Sequence, residues 1–130
     1  TFCEALEALV AQYGAETGLR TSVELIGGQR PLPMRIEAGL YRIAQEALNN
    51  VVRHADATQI CVVFTSQPDK VELVIEDDGQ GFDPTALPKD RFGLIGLNER
   101  TRLLGGTFEV STQAGEGTTL NITLPLESKR

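Results

Sequence analysis

Two pairs of strand patterns, each folded back across a short turn, constrain the architecture more than any other feature of the sequence. The first pair covers residues 60–65 and 71–76 and is joined through a Gln-Pro-Asp-Lys turn. The second covers residues 107–112 and 118–124 around Ala-Gly-Glu-Gly. Each pair is predicted to form a β-hairpin with one face in a core. In 71–76 the residues expected in that core take every second position, namely Val71, Leu73 and Ile75.

Helical patterns separate these hairpins. Apolar residues recur at helical spacing in 2–13, 34–54 and 94–104, with Gly14 and Gly18 expected to end the first helix. Residues 21–26 indicate one further strand. The order helix, strand, helix, hairpin, helix, hairpin predicts an α+β two-layer sandwich. In it a mixed, mostly antiparallel sheet carries three helices on one face.

Net charge, cysteine content and the lack of long apolar runs indicate the ligands and the compartment to expect. The 130 residues suit one domain and carry a net charge of −6, which argues against binding to nucleic acid or anionic lipid. Cys3 and Cys61 show no pairing pattern, which favours reduced thiols in the cytoplasm, with Cys61 as a small core residue. No apolar run is long enough to span a bilayer. Because the chain does not begin with Met, a longer parent protein is expected, and a membrane anchor in that parent is left open.

The second predicted helix carries a polar strip suited to a metal and a phosphate. Glu46 and Asn50 are four residues apart and Arg53 follows three later, so all three flank the apolar face. A carboxylate and an amide oxygen suit Mg²⁺, and a guanidinium can meet a phosphate oxygen. Taken alone, the motif is explained equally well by a solvated helix face with an ion pair.

A strand that ends in carboxylates and enters a glycine turn forms the second candidate site, with Glu-Asp-Asp-Gly-Gln-Gly-Phe-Asp at 76–83. A buried carboxylate here can accept a hydrogen bond from the exocyclic amine of adenine, whereas guanine leaves the charge unpaired. Gly79 and Gly81 allow the backbone to approach a ligand closely. A plain turn is the alternative. An EF-hand starting at Asp77 is excluded, because it needs oxygen-bearing side chains where these glycines stand.

Gly-Leu-Ile-Gly-Leu at 93–97 opens the third predicted helix. Gly93 and Gly96 expose backbone amides at the positive end of the helix dipole, where an anion binds. Glycine before a helix is also common without any ligand. Thr118, which follows Gly117, is placed to bring a hydroxyl beside a base, or is an ordinary strand residue.

Taken together, these motifs resemble the superfamily that unites gyrase, Hsp90, histidine kinases and MutL. Glu-x-x-x-Asn-x-x-Arg-His at 46–54 looks like its N box, and Asp-x-Gly-x-Gly at 77–81 looks like its first glycine box. Gly-x-x-Gly-Leu at 93–97 and Gly-Thr at 117–118 look like its second and final glycine boxes. All four occur in the order that the superfamily has them.

Three further segments are similar to one branch, the sensor kinases of the nitrate-sensor and DesK/LiaS type. They are Tyr-Arg-Ile-Ala-Gln-Glu-Ala-Leu-Asn-Asn at 41–50, His-Ala-Asp-Ala at 54–57 and Gly-Leu-Asn-Glu-Arg at 96–100. The resemblance implies a Bergerat-type fold. It also implies a short lid over 82–92, with Gly93 and Gly96 as its hinge.

The resemblance implies roles for individual residues. Asn50 is expected to be the Mg²⁺ ligand with Glu46 assisting, and these two form the expected catalytic pair. Asp77 is expected to bind adenine, and Arg53 and His54 to lie near the phosphates or the sugar. The expected nucleotide-binding set is Glu46, Asn50, Arg53, His54, Asp77, Gly79, Gly81, Phe82, Gly93, Leu94, Gly96, Leu97 and Thr118.

The function implied is that of the catalytic and ATP-binding domain of a sensor histidine kinase, with ATP and Mg²⁺ as cofactors. Such a domain passes the γ-phosphoryl group to a histidine on a separate dimerisation domain, and a response regulator receives it next. His54, the sole histidine here, lies inside the N box and is expected to be structural or to contact nucleotide. The phosphoacceptor domain is therefore expected elsewhere in a homodimeric parent, and the isolated domain is expected to be a monomer.

Two alternatives stay open at this point. Anti-sigma-factor serine kinases have a similar domain with Glu and Asn in the N box, and an upstream helix with a His-Asp pair would argue against them. A non-catalytic nucleotide-binding module is the other alternative. The presence of Glu46, Asn50 and Asp77 speaks against that module.

Overall fold

The computed structural model describes residues 1–27, 31–80, 94–112 and 115–126, without the side chains of His54 and Ala55. The elements, in chain order, are α1 (Phe2–Thr17), β1 (Arg20–Ile26), α2 (Met34–Asn50), a short π-helix (Val51–Ala55), β2 (Gln59–Ser66), β3 (Lys70–Asp77), α3 (Leu94–Leu103), β4 (Thr107–Thr112) and β5 (Thr118–Pro125). No helix among these residues is both long and apolar enough to cross a membrane.

One five-stranded sheet runs through the molecule in the order β1-β2-β3-β5-β4. β1 pairs with β2 in parallel, and the other three pairings are antiparallel. The parallel pair is possible because α2 provides the crossover that returns the chain to the start of β2. The predicted mixed, mostly antiparallel sheet is confirmed.

Strand alternation and helix periodicity place a single core between the sheet and the helices. Val71, Leu73 and Ile75 of β3 are buried, as predicted, together with every second residue of β2 and β5. The largest fully buried side chains are Leu6, Leu40, Ile43, Leu48, Ile60, Leu73, Ile75, Leu97, Ile122, Leu124, Val10 and Val62. The predicted α+β sandwich with three helices on one face is therefore confirmed.

The first helix runs further than its glycine content indicates. It starts with a capping box in which Thr1 Oγ1 accepts from Glu4 N at 3.2 Å, and it ends at Gly18, whose φ is +78°. Gly14 lies inside the helix, so the expected stop at that residue is wrong. A Cβ there would lie 3.0 Å from Thr21 Oγ1 of β1. Gly14 therefore provides room for the neighbouring strand.

Two further expectations are corrected. Cys61 lies between the buried residues Ile60 and Val62, so its half-buried side chain projects from the face of the sheet that the helices leave open. It is not a core residue. The regular helix predicted over 34–54 ends at Asn50, and the chain continues as the π-helix. Val51 N–H is shared between the carbonyls of Ala47 and Leu48 where the wider turn begins.

Candidate functional site

Asp77 is the last residue of β3, and its side chain is 7% exposed. It shares the face of the strand with Ile75 and therefore points towards the helical layer. Gly79 N–H donates to Asp77 Oδ1 at 2.8 Å. Burial raises the pKa of Asp77, while the backbone N–H groups of Gly79 and Thr118 act in the opposite direction. This end of the sheet thus holds a partly desolvated carboxylate that can accept a further hydrogen bond.

The neighbouring Asp78 has a different role. It is exposed, and its Oδ1 accepts from Thr58 N at 2.8 Å and from Gln59 N at 3.0 Å. Its Oδ2 accepts from the Thr58 hydroxyl. These hydrogen bonds lower the pKa of Asp78 to about 2. Asp78 therefore links the end of β3 to the start of β2, a structural role that the sequence pattern did not reveal.

Gly117 and Thr118 lie directly against Asp77. Thr118 is opposite Asp77 in the β3–β5 register and is on the same face of the sheet, because Leu120 and Ile122 follow at alternate positions. Gly117 has φ +82°, and a Cβ on it would lie 2.2 Å from the backbone oxygen of Asp77. Thr112 and Thr118 place their hydroxyl oxygens 3.0 Å apart. Pairing of β5 with β3 and β4 thus places the predicted threonine beside Asp77, on the same face of the sheet.

The N box lies on α2. Glu46 is about one-third exposed, and its Oε1 is 2.8 Å from Arg100 Nη2 and 3.5 Å from Arg42 Nε. Asn50 follows one helical turn later and is half-buried. Glu46 and Asn50 therefore share a face, as predicted. Arg53 is exposed and lies beyond the change from α to π geometry, so the α-helical spacing that aligned it with Asn50 does not apply.

The second glycine box is described only in part. α3 begins at Leu94, which is half-buried, and a Cβ on Gly96 would meet nothing within 4 Å. Leu97 is fully buried in the core, so only its backbone is available to a ligand. Gly81, Phe82, Gly93 and the predicted lid over 82–92 lie outside the described residues, as does the side chain of His54.

Comparison with known proteins decides the family. Residues 35–128 match the family described as histidine kinase-, DNA gyrase B-, and HSP90-like ATPase. The chain belongs to this ATPase family. Its four boxes, identified first from the sequence, are thus those of an ATP-binding domain.

Curated relatives of the chain include sensor histidine kinases. The chain is 35% identical over 124 residues to the signal transduction histidine-protein kinase/phosphatase DegS of Brevibacillus brevis, covering 95% of this chain and 32% of that protein. It is 33% identical over 126 residues to the histidine-protein kinase/phosphatase UhpB of Salmonella typhimurium, covering 96% and 25%. The resemblance to the ATP-binding domains of sensor histidine kinases is confirmed. The chain spans a third or less of the length of these two relatives.

Solved structures agree with the fold. The histidine kinase domain of the Erythrobacter litoralis EL346 blue-light activated histidine kinase superposes with a TM-score of 0.74 at 22% identity, over 93% of this chain and 59% of that one. The mycobacterial sensor histidine kinase MprB gives a TM-score of 0.70 at 19% identity, over 98% and 95%.

A cavity of about 560 Å³ opens at the same end of the sheet as Asp77, but it is unsuited to ATP. Half of its lining residues, including Cys61, Glu76, Ser111 and Thr119, lie on the open face of the sheet, and Asp77, Asp78 and Glu116 are also part of the lining. Four of the lining residues carry carboxylates, namely Glu76, Asp77, Asp78 and Glu116, and none of the residues lining the cavity is basic. A triphosphate would be repelled there. Asp77 also borders this cavity, but it shares the buried face of β3 with Ile75, on the side of the helices.

The side-chain donors of the N box suit Mg²⁺. Among the described residues, no cluster of three or more His, Cys, Asp or Glu side chains is able to hold a metal ion. Glu46 and Asn50 offer one carboxylate and one amide oxygen on the same helix face. Mg²⁺ usually takes one or two protein oxygens and completes its shell with water and substrate phosphates. These donors therefore fit Mg²⁺ bound together with a nucleotide.

Proposed function

We propose that this domain binds Mg·ATP and supplies the γ-phosphoryl group to a histidine of a separate dimerisation domain in a two-component signalling kinase. The buried Asp77 carboxylate carries the proposal. It closes β3 beside Gly79 and Thr118 and faces the helical layer that holds the N box. The histidine kinases among the relatives support this transfer over the serine kinase alternative.

Asp77 and Thr118 bind the base in this proposal. The Asp77 carboxylate accepts from the exocyclic amine of adenine, and the Thr118 hydroxyl lies on the same face one strand away. Guanine carries a carbonyl oxygen at that position, which would face a buried negative charge. The pocket therefore selects ATP over GTP through an electrostatic penalty on the wrong base.

Asn50 and Glu46 hold Mg²⁺ in this proposal, and Arg53 and His54 lie towards the phosphates. When bound, Mg²⁺ neutralises charge on the phosphate oxygens. The protein groups orient the nucleotide, and a lid over 82–92, hinged at Gly93 and Gly96, encloses it. Gly81, Phe82, Leu94 and Leu97 complete the nucleotide contacts. Transfer to a histidine needs no activated water, so Glu46 acts here as a metal-supporting group and not as a base.

The partners follow from this chemistry. The domain acts in the cytoplasm with the dimerisation domain of its homodimeric parent protein, and a response regulator then takes the phosphoryl group. In that parent, Asn50→Ala is expected to abolish labelling of the phosphoacceptor histidine by γ-labelled ATP. Full labelling in a folded variant would contradict the assignment of Asn50.

Calorimetry with Asp77→Asn tests base recognition. The amide can turn a donor towards the adenine amine, so ATP affinity is expected to fall by roughly 10- to 100-fold, equivalent to about 1–3 kcal/mol. Glu76→Gln is the matched control, because it removes the same charge one residue earlier on the open face. ATP affinity equal to that of the unsubstituted domain, in a folded Asp77→Asn variant, would refute the role of Asp77.

A further inference from the structure

Among the described residues, partners hold the Glu46 carboxylate through one oxygen only. Oε1 accepts from Arg100 Nη2 at 2.8 Å and lies 3.5 Å from Arg42 Nε. Within the described part of the chain, Oε2 has no hydrogen bond, and the side chain keeps about a third of its exposure. The carboxylate is therefore fixed through one oxygen, while the other stays available to a ligand.

Arg100 differs from an ordinary surface arginine. Its Nε is buried and has no hydrogen-bond partner among the described residues, an arrangement that costs free energy. Its 2.8 Å bond to Glu46 joins residues 54 positions apart in the chain. Arg102, two residues later, is exposed and bonds Asn98 on its own helix. Arg100 thus lies where its Nε is unpaired among the described residues, and this position brings its guanidinium to the N box.

Contacts between α2 and the end of α3 support this position. A Cβ on Gly39 of α2 would lie 2.4 Å from Leu104 Cδ1, so the end of α3 comes very close to α2. Arg35 Nη1 donates to the Leu103 carbonyl at 3.4 Å, and Leu97 is fully buried. α3 thus packs close to α2 and presents Arg100 to Glu46.

We propose that Arg100 is a positioning residue for Glu46, holding Oε1 so that Oε2 is directed to Mg²⁺ or to one of its water ligands. The inference rests on the proposed function, in which Glu46 and Asn50 hold the metal. Hydrogen bonds to the outer oxygen of a ligating carboxylate commonly fix its orientation and tune metal affinity. Arg100 would also connect the metal site to the helix that opens with the second glycine box.

The inference is tested through the factor by which Mg²⁺ strengthens ATP binding. This factor is the ratio of the Kd for ATP measured by calorimetry with a chelator to the Kd measured with Mg²⁺. Arg100→Gln is expected to lower this factor about tenfold. Arg102→Gln, which removes the same charge from the same helix, is expected to leave it unchanged. Arg100→Lys is expected to restore part of it, because one N–H group suffices for Oε1. A purely long-range charge effect of Arg100→Gln would instead raise this factor, because loss of a nearby positive charge favours binding of Mg²⁺.

A double-mutant cycle with Glu46→Gln separates the possible failures. If Arg100 acts through Glu46, adding Arg100→Gln to Glu46→Gln lowers the factor no further. Suppose that Glu46→Gln lowers the factor. An unchanged or raised factor in Arg100→Gln, or a full further loss in the double variant, then overturns this inference and leaves the proposed function standing. If Glu46→Gln leaves the factor unchanged, the proposed metal role of Glu46 fails, and the inference fails with it. Thermal unfolding of each variant confirms that it is folded.

Discussion

At the scale of single residues, the two neighbouring aspartates at the end of β3 have opposite environments. Asp77 is buried on the helical side, whereas Asp78 is exposed and accepts hydrogen bonds from Thr58 and Gln59. Burial raises the pKa of Asp77, and the hydrogen bonds lower the pKa of Asp78. One residue of offset along the chain reverses the facing direction and therefore separates the carboxylate proposed to bind adenine from a structural one.

These opposite shifts predict opposite pH dependences of stability in the absence of nucleotide. Asp78 has a folded-state pKa of about 2 against an ordinary value of 3.8, so its stabilising contribution is present above pH 3.8 and is lost as the pH falls through about 2. Asp77 has a raised pKa, so its contribution is fully present below pH 3.8 and is lost as the pH rises through its folded-state pKa.

Chemical denaturation of Asp78→Asn and Asp77→Asn between pH 2 and 7 checks both signs. The deficit of Asp78→Asn relative to the unsubstituted domain is expected to shrink towards acid. Asp77→Asn is expected to gain relative stability as the pH rises, because the amide avoids a buried charge. If the unfolding free energies of the two variants changed with pH in the same way, the assigned environments would be contradicted.

Gly117 gives a prediction about close packing at the site. Alanine at φ +82° is strained by about 1–2 kcal/mol. Its Cβ would also collide with the backbone oxygen of Asp77 at 2.2 Å, so Gly117→Ala is expected to lose further stability together with ATP affinity. Gly115→Ala is the control, because Gly115 has φ +84° and open space around it. Equal losses in both variants, measured by unfolding and calorimetry, would exclude the close contact.

At the scale of elements, α3 is attached to the core through few residues. Leu97 and Thr101 are its buried members, and the Thr101 hydroxyl donates to the Leu97 carbonyl at 2.8 Å. Leu97→Ala is expected to cost about 2–5 kcal/mol of unfolding free energy and to weaken nucleotide binding, because α3 carries Gly96 and Arg100. Leu103→Ala, on the same helix but 82% exposed, should change stability by less than about 0.5 kcal/mol. A small effect at Leu97 would contradict the anchoring.

At the scale of the whole molecule, ligand binding and folding are linked, because the nucleotide is expected to bind the folded domain and not the unfolded chain. Mg·ATP at 100 times its Kd is expected to stabilise the domain by about 2.7 kcal/mol, or roughly 10 °C in Tm. GTP at the same concentration should give a much smaller shift, and so should ATP with Asp77→Asn. Equal shifts with ATP and GTP in a thermal melt would contradict selection of adenine.

Periodicity and turn residues predicted the existence and type of the helices and strands, because they are local properties. The predictions were least accurate where a tertiary contact changed a local preference. Gly14 stays in α1, where its lack of a side chain leaves room for β1. The wider turn after Asn50 is a local departure instead, and it begins where Val51 N–H bonds two carbonyls of its own helix. Cys61 was assigned to the wrong face because its strand is apolar at consecutive positions, Ile60 to Phe64, and shows no alternation.

The sequence by itself determined the order of the elements, the four boxes and the residue types suited to adenine and Mg²⁺, because these depend on spacing along the chain. Only the tertiary structure decided which carboxylate of the Asp77–Asp78 pair is buried. It also decided that Thr118 lies opposite Asp77 on the adjacent strand. It alone also joined Arg100 to Glu46. The physical reason is that burial and pairing depend on neighbours from distant parts of the chain, and helix–helix and strand–strand packing bring those neighbours together.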